Sequence, residues 1–256
     1  AVSIIFNVIY LKGDTILLSL FKSQTEVGIY GAAYRVIDIL AQTAMMIMGV
    51  MLPLMAFNWS RKLKEKFKQY YQMSFDVLMM LAIPILVGTV ILADKIMLVV
   101  AGQDFIASAR PLQILSIAVF GLYLGAVFGH TAVAIGKQKQ TMWIYISNSI
   151  ITLIGYLIFI PMYGMYGAAW MTVFSELYAG ILLWLTIRHY AKENLKLKTF
   201  SKIIFASLVM GGILLLLPQL HVVILAILGM IIYGLVLILT KAVSKETISE
   251  IFTLKK

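Results

Sequence analysis

The chain has 256 residues, of which 62% are hydrophobic and 12% charged, with a formal net charge of +10 and a mean hydropathy of +0.97. An average soluble domain is about 45–50% apolar and about 25% charged, and a chain of this length cannot hide such an excess of apolar surface from water. Composition therefore excludes a water-soluble domain, and the lack of cysteine excludes a disulfide scaffold and a thiolate metal site.

Eight apolar runs follow one another along the chain, and each is close to the roughly 20 residues that a helix needs to cross a bilayer. They do not alternate apolar and polar residues as the strands of a membrane barrel do. The sequence therefore predicts an all-α polytopic membrane protein with about eight transmembrane helices. In order, the runs are residues 2–21, 29–57, 71–93, 112–135, 142–160, 168–187, 203–217 and 222–240.

Basic residues are concentrated in alternate links between these runs. Five lysines and arginines lie in link 58–70, two in 136–141, five in 188–202 and four in the tail 241–256. Because links rich in lysine and arginine stay in the cytoplasm, we expect these links and both chain ends to lie inside. The other links carry Lys22, Lys95 and Arg110.

The start of the chain and the longest outer link raise two further points. The chain is apolar from Ala1 and lacks the basic start of a signal peptide, so we expect the sequence to begin inside a longer protein. Link 94–111 contains the apolar stretch 96–101. This stretch is either a short helix lying at the outer membrane surface or an extension of the preceding helix, and the sequence favours neither.

Six ionisable side chains fall inside the apolar runs. A charge at the bilayer centre costs about 2.5–3.5 kcal/mol on insertion scales, so each needs a partner or a hydrated cavity. Asp76, near the cytoplasmic end of its run, is more typical of the interface. The six residues are Lys12, Asp14, Arg35, Asp38, Asp76 and Glu176.

The depths of four of these residues predict pairs. If the first two runs turn at residues 22–28, a rise of about 1.5 Å per residue brings Asp14 level with Arg35, and Lys12 level with Asp38. Lys12 and Asp14 point about 200° apart, so only one of them can meet the face that Arg35 and Asp38 share. Two interpretations stay open: charge-balanced packing contacts, or a hydrated, anion-binding cavity faced by Arg35 and also by Lys12.

The sixth run and the fourth run each contain one notable pattern. Glu176 stands beside Ser175 and Thr172, which fits either a proton or cation site or a buried acid kept neutral by its low-dielectric surroundings. Three glycines recur every four residues along the fourth run, and this spacing predicts close packing against a neighbouring helix. They are Gly121, Gly125 and Gly129.

Catalytic motifs are missing from the sequence. His130, His189 and His221 are far apart, and there is no HExxH, Walker or GxSxG motif. There is also no long loop that would form an extramembrane catalytic domain. We therefore expect a protein that is not an enzyme and that uses no cofactor and no metal.

Specific strings support a family resemblance. Their order and spacing resemble the second half of the Wzx-type polysaccharide or O-antigen flippases, in the multidrug/oligosaccharidyl-lipid/polysaccharide exporter superfamily. The resemblance covers about residues 13–190. The strings are GDTILLS (13–19), VGIYGAAYRV (27–36), GQDF (102–105), ARPLQIL (109–115), AIGK (134–137) and PMYGMYGAAW (161–170).

This resemblance implies an architecture. The whole protein would contain two six-helix bundles facing each other and two further helices. In this chain, residues 1–190 would form the second bundle, 191–202 a basic cytoplasmic link, 203–240 the final helix pair and 241–256 a cytoplasmic tail. The missing N-terminal half of the same protein would be the main partner.

The resemblance also implies a function. Such proteins move undecaprenyl-pyrophosphate-linked oligosaccharide across the bacterial cytoplasmic membrane by ion-coupled alternating access, through a cationic cavity. Arg35 and Asp14 match the family strings best, with Lys12 and Asp38 as further substrate-binding candidates and Glu176 as the ion-coupling candidate. Membrane lipid is an expected partner, and nucleic acid is not.

Two alternatives remain beside the flippase interpretation. A cation-coupled multidrug exporter of the same superfamily would place acidic rather than basic residues at its cavity and would need no lateral opening for a lipid. A membrane glycan polymerase or transferase is the third possibility. Lipid-linked precursor on the inner leaflet after gene deletion would favour a flippase, whereas unpolymerised units outside would favour a polymerase.

Overall fold

A computed structural model describes residues 13–242. Most of the first apolar run, Lys12 and the end of the tail therefore lie outside the described residues. The predicted all-α polytopic fold is confirmed: the described chain is helical throughout, and six of its helices are long and apolar enough to cross a membrane. The elements are α1 (13–21), α2 (Gln24–Ser60), α3 (Lys64–Val100), a short 3-10 helix (Gln103–Ser108), α4 (Ala109–Ala134), α5 (Gln138–Tyr190), α6 (Lys198–Leu216) and α7 (Val222–Leu239).

The helices extend well beyond the apolar runs that predicted them. Helices α2 and α3 have 37 residues each, which corresponds to about 55 Å and exceeds a hydrocarbon core of about 30 Å. The links shrink accordingly, and residues 61–63 replace the predicted link 58–70. The stretch 96–101 almost wholly belongs to α3, so of the two interpretations the extension of the preceding helix is correct.

Helix α5 is a helical hairpin. Its backbone reverses at Gly164, where φ is 58° and ψ is −137°, a region that an L side chain rarely adopts. The phenol oxygen of Tyr156 lies 2.9 Å from Oγ1 of Thr172, a contact that a straight helix could not make across 16 residues. The two arms, 138–163 and 165–190, correspond to the predicted runs 142–160 and 168–187.

Helix α4 packs closely against both arms of α5, and glycines make this possible. A Cβ atom on Gly121 would lie 2.9 Å from Cβ of Glu176, and one on Gly129 would lie 3.2 Å from the hydroxyl of Tyr145. Nothing lies within 4 Å of such an atom on Gly125. The predicted role of the glycine repeat in packing is therefore confirmed at its two ends. At its middle, the backbone nitrogen of Gly125 would lie 3.6 Å from a Cβ on Gly180, so the helices are close there as well, although a Cβ on Gly125 itself would meet no neighbour.

One end of the bundle gathers the basic links. Nζ of Lys68 lies 3.4 Å from Oε2 of Glu193, and Nζ of Lys202 donates to the carbonyl of Lys241 at 2.7 Å. These contacts join the start of α3 to the α5–α6 link, and the start of α6 to the end of α7. The remaining basic link is held there by Lys137, whose ammonium lies 3.9 Å from the ring centroid of Tyr190.

The opposite end gathers the links that are poor in basic residues. Nζ of Lys22 donates to the carbonyl of Pro161 at 3.0 Å, and Nζ of Lys95 donates to the carbonyl of Leu220 at 2.7 Å. The α1–α2 link therefore meets the turn of the α5 hairpin, and α3 meets the α6–α7 link. The alternation of links read from the sequence agrees with this arrangement.

The last two helices attach to the bundle through α3. A Cβ on Gly211 of α6 would lie 2.7 Å from Cγ1 of Val87, so α6 and α3 are in close contact. The hydroxyl of Tyr233 in α7 donates to the carbonyl of Met80 at 2.9 Å. The division of the chain at residues 190, 202 and 240 stays a prediction.

Candidate functional site

The turn between α1 and α2 sets the register of the polar site. Oγ of Ser23 accepts a hydrogen bond from the backbone N–H of Glu26 at 3.3 Å and caps the start of α2. Helix α2 therefore begins at Gln24, and the link consists of residues 22–23 rather than 22–28. The polar segment before the second apolar run is thus helical.

This shorter link changes the partner of Asp14. The Asp14 side chain is 2% exposed, and its Oδ2 accepts a hydrogen bond of 2.7 Å from the hydroxyl of Tyr30, which is itself fully buried. The backbone N–H of Thr15 donates to Oδ1 at 2.6 Å. The predicted level pairing of Asp14 with Arg35 is wrong, because the earlier start of α2 places Tyr30 at the depth of Asp14.

Arg35 lies on another face of α2. It is exposed, whereas Ala33 and Ile37, about 200° away around the helix, are buried. Within residues 13–242, Arg35 makes no hydrogen bond and no ion pair. The interpretation as a charge-balanced packing contact therefore does not describe Arg35 in the part of the chain that the structure covers, and Lys12 lies outside that part.

Arg35 begins a stripe of exposed residues that follows one face of α2. The positions are spaced by four, three, four and four residues, as one helical face requires. Ile39 and Met46 are each 69% exposed and Val50 is 61% exposed. We refer to Arg35, Ile39, Gln42, Met46 and Val50 as the Arg35 stripe. It is an apolar surface with one cation and one amide, and no described helix covers it.

A second group of polar residues lies inside the bundle around Tyr34. The phenol of Tyr34 is close enough to the carboxylates of Asp14, Asp38 and Glu176 to interact with their charges. The rings of Tyr30 and Tyr34 are 5.5 Å apart. Helices α1, α2 and both arms of α5 thus meet at a tyrosine–acid cluster, which consists of Asp14, Tyr30, Tyr34, Asp38, Tyr156 and Glu176.

Glu176 enters this cluster from the second arm of α5, opposite Gly121. Among the described residues its carboxyl group makes no hydrogen bond and no ion pair. The neighbouring hydroxyls are used elsewhere: Ser175 donates to the carbonyl of Thr172 at 3.0 Å, and Thr172 donates to that of Ala168 at 3.0 Å. The role of Glu176 as an ion-coupling residue stays a prediction.

Sequence reasoning missed the tyrosines of the cluster. Tyr30 and Tyr34 are one turn apart in the same string as Arg35, and their spacing could have placed them on a shared face. The other predicted acid, Asp76, accepts a hydrogen bond of 3.0 Å from Gln72 at the basic end of the bundle. Residues 13–242 contain no group of three or more histidine, aspartate or glutamate side chains that could hold a metal ion.

The chain is therefore a multi-pass α-helical membrane protein, since its long apolar helices can cross a membrane and enclose the buried contact between Asp14 and Tyr30. Residues 1–110 match the family described as "Polysaccharide biosynthesis protein". The chain is 25% identical over 217 residues to the "Probable low-salt glycan biosynthesis flippase Agl15" of Haloferax volcanii, and the match covers 83% of this chain and 45% of the relative. These findings confirm the resemblance to polysaccharide flippases of the multidrug/oligosaccharidyl-lipid/polysaccharide exporter superfamily.

A solved structure has the same fold. The chain superimposes on the "Lipid II flippase MurJ, inward closed conformation" with a TM-score of 0.77 at 17% identity, over 89% of this chain and 50% of that one. The chain therefore spans about half the length of the proteins that it matches. At this identity the likeness concerns the fold alone.

Proposed function

We propose that the full-length protein is a flippase that carries lipid-linked oligosaccharide across the cytoplasmic membrane for polysaccharide biosynthesis. The substrate we infer is an undecaprenyl-pyrophosphate-linked oligosaccharide, carried by alternating access without enzymatic chemistry. The relative from Haloferax volcanii, a glycan biosynthesis flippase by description, supports this class of activity. Both ends of this chain would lie in the cytoplasm, because the basic links share one end of the bundle.

The proposal rests most on the guanidinium of Arg35, which is exposed and has no hydrogen-bond or ion-pair partner among residues 13–242. A charge that faces hydrocarbon is costly, so an unpaired arginine deep in a helix implies water or an anionic ligand beside it. The planar guanidinium matches phosphate oxygens with two parallel hydrogen bonds. In the full-length protein, we expect the Arg35 stripe to face a hydrated cavity between this chain and the other half, where Arg35 would bind the pyrophosphate.

Ion coupling would use the tyrosine–acid cluster. Asp14 is buried on a hydrogen bond from Tyr30, and Glu176 has no hydrogen-bonding partner among the described residues. Buried carboxylates inside a membrane bundle are typical proton or cation sites. Because the cluster joins four helical segments, protonation or cation binding there would change how α1, α2 and α5 pack.

The same cluster favours a second candidate, a cation-coupled multidrug exporter. Its three acids, Asp14, Asp38 and Glu176, are all within electrostatic range of Tyr34, and an exporter of cationic drugs would use acids rather than a guanidinium to bind its cargo. The two functions differ in whether Arg35 is essential for glycan export.

The test is Arg35→Ala in the full-length protein, scored by surface glycan in a strain that lacks the wild-type copy. We expect export to fall at least about tenfold, since a charge-assisted hydrogen bond contributes about 1.5–3 kcal/mol, and lipid-linked precursor to accumulate on the inner leaflet. Arg188→Ala is the matched control, because it removes an arginine outside the stripe, whose guanidinium lies 5.3 Å from the ring centroid of Trp184 near the basic end of the bundle, and it should leave export near the wild-type level. Normal glycan export by a well-expressed Arg35→Ala variant would contradict the proposal.

A further inference from the structure

An open groove of about 520 Å³ lies between α3, α4 and the second arm of α5. It is at the end of the bundle opposite the basic links, close to the start of α4 and the turn of the α5 hairpin. Its position on α3, α4 and α5 separates it from the Arg35 stripe of α2. The lining residues are Val90, Arg110, Gln113, Ile114, Ile117, Tyr166 and Trp170.

The groove has one cationic side chain and an otherwise apolar and aromatic wall. Arg110 is exposed, and within residues 13–242 it makes no hydrogen bond and no ion pair. Nε2 of Gln113 donates to the carbonyl of Val90 at 2.9 Å, which ties α4 to α3 along the groove. No acidic residue is among the lining residues, so the groove is complementary to an anion.

The aromatic residues place the groove at the level of lipid headgroups. Trp170 is 55% exposed and Tyr166 is 41% exposed. Tryptophan and tyrosine are enriched where hydrocarbon meets the headgroups. Arg110 stands in the first turn of α4 at this same end of the bundle. A ligand here would meet a guanidinium at its polar end and Ile114, Ile117 and Trp170 along its apolar part.

We propose that this groove binds an anionic phospholipid of the outer leaflet, with the phosphate on Arg110 and the first part of an acyl chain along the apolar wall. The volume is in the range of sites for small ligands, which suits a glycerophosphate headgroup rather than an oligosaccharide. The bound lipid would stabilise the contact between α3, α4 and the α5 hairpin. The inference does not depend on the proposed transport activity.

Native mass spectrometry of the full-length protein titrated with phosphatidylglycerol tests the assignment. We expect Arg110→Gln to weaken the tightest lipid-binding event about tenfold, the effect of losing one charge-assisted hydrogen bond, and Trp170→Ala to weaken it as well. Arg110→Lys, which keeps the charge, should retain part of the affinity. Unchanged lipid binding in Arg110→Gln would overturn the proposal.

Arg188 is the matched control, because its guanidinium lies 5.3 Å from the ring centroid of Trp184 near the opposite end of the bundle. Arg188→Gln should leave the tightest lipid-binding event unchanged, and an equal loss would mean general attraction of anionic lipid and no built site. Inorganic phosphate should fail to displace phosphatidylglycerol at equal concentration. Displacement by phosphate, or binding of a polyprenyl pyrophosphate that Arg110→Gln weakens and Arg35→Ala does not, would also overturn the assignment to a phospholipid.

Discussion

At the scale of single residues, the buried contact between Asp14 and Tyr30 shows how the site is held. The phenol hydroxyl donates to a carboxylate that is 2% exposed, so its removal takes a hydrogen-bond donor from a buried acid. Such a loss costs about 1–3 kcal/mol. We therefore expect Tyr30→Phe to lower the thermal unfolding midpoint of the full-length protein in detergent by several degrees.

Tyr163→Phe is the control for this measurement. Tyr163 is 58% exposed, and within residues 13–242 its hydroxyl makes no hydrogen bond, whereas its ring stacks on Phe159 and is kept by the substitution. The thermal unfolding midpoint of the Tyr163→Phe variant should match that of the wild type. Equal midpoints for Tyr30→Phe and Tyr163→Phe would show that the hydroxyl of Tyr30 does not stabilise Asp14.

The partner of Asp14 also shows what the sequence could and could not predict at this scale. Burial of a polar residue at position 14 follows from its place in an apolar run, but its partner depends on where α2 begins. The apolar run starts at residue 29, while Ser23 and Glu26 form the spacing typical of a capping box. A hydropathy profile does not detect a capped polar turn at the start of a helix. Because this turn makes α2 begin earlier than its apolar run, Tyr30 rather than Arg35 lies level with Asp14.

At the scale of helices, the packing of α4 against the second arm of α5 depends more on Gly121 than on Gly125, one turn away. A Cβ on Gly121 would lie 2.9 Å from Cβ of Glu176 and 3.0 Å from the backbone nitrogen of Leu177. Because backbone atoms cannot move aside, Gly121→Ala must push the two helices apart, at a cost of about 1–3 kcal/mol. We expect a lower unfolding midpoint and less folded protein in size-exclusion chromatography.

Gly125→Ala is the matched comparison on the same face of α4. Nothing lies within 4 Å of the added atom, and alanine in a helix is favoured over glycine by about 0.5–1 kcal/mol. This variant should unfold at the same temperature as the wild type or slightly above it. A larger loss for Gly125→Ala than for Gly121→Ala would contradict the packing of α4 against α5.

The order of the helices among the described residues was predictable, since each apolar run from residue 29 onwards corresponds to one helix or to one arm of α5. The ends of these helices were not predictable. Apolar length predicted the spans because lipid requires about 20 apolar residues whatever the packing. The ends extend further because polar residues such as those at 64–70 continue a helix into the interface. The tight reversal at Gly164 had a local signal, since PMYGMYG combines a proline with two glycines.

At the scale of the whole molecule, the packing contacts place the basic links at one end of the bundle and the links poor in basic residues at the other, as the charge pattern predicts. The Lys68–Glu193 ion pair and the Lys202–Lys241 hydrogen bond join basic links to one another. The opposite end is joined by Glu26, whose Oε1 accepts from the backbone N–H of Met165 at 2.7 Å. The sequence predicted this arrangement because the count of lysine and arginine needs no knowledge of packing. The sequence of this chain could not predict what Arg35 contacts, because we expect Arg35 to face the other half of the full-length protein.

The orientation follows from this polarity and can be measured directly. The chain has no cysteine, so single cysteines can be placed in a full-length protein whose other cysteines, where present, are replaced. Gln103 and Lys139 are exposed at opposite ends of the bundle. Since basic links remain in the cytoplasm, a membrane-impermeant maleimide added to intact cells should label Gln103→Cys and leave Lys139→Cys unlabelled until the membrane is permeabilised. Labelling of Lys139→Cys alone in intact cells would show that the orientation is the opposite of the predicted one. Arg110 would then lie at the inner leaflet, and its groove could not bind a lipid of the outer leaflet.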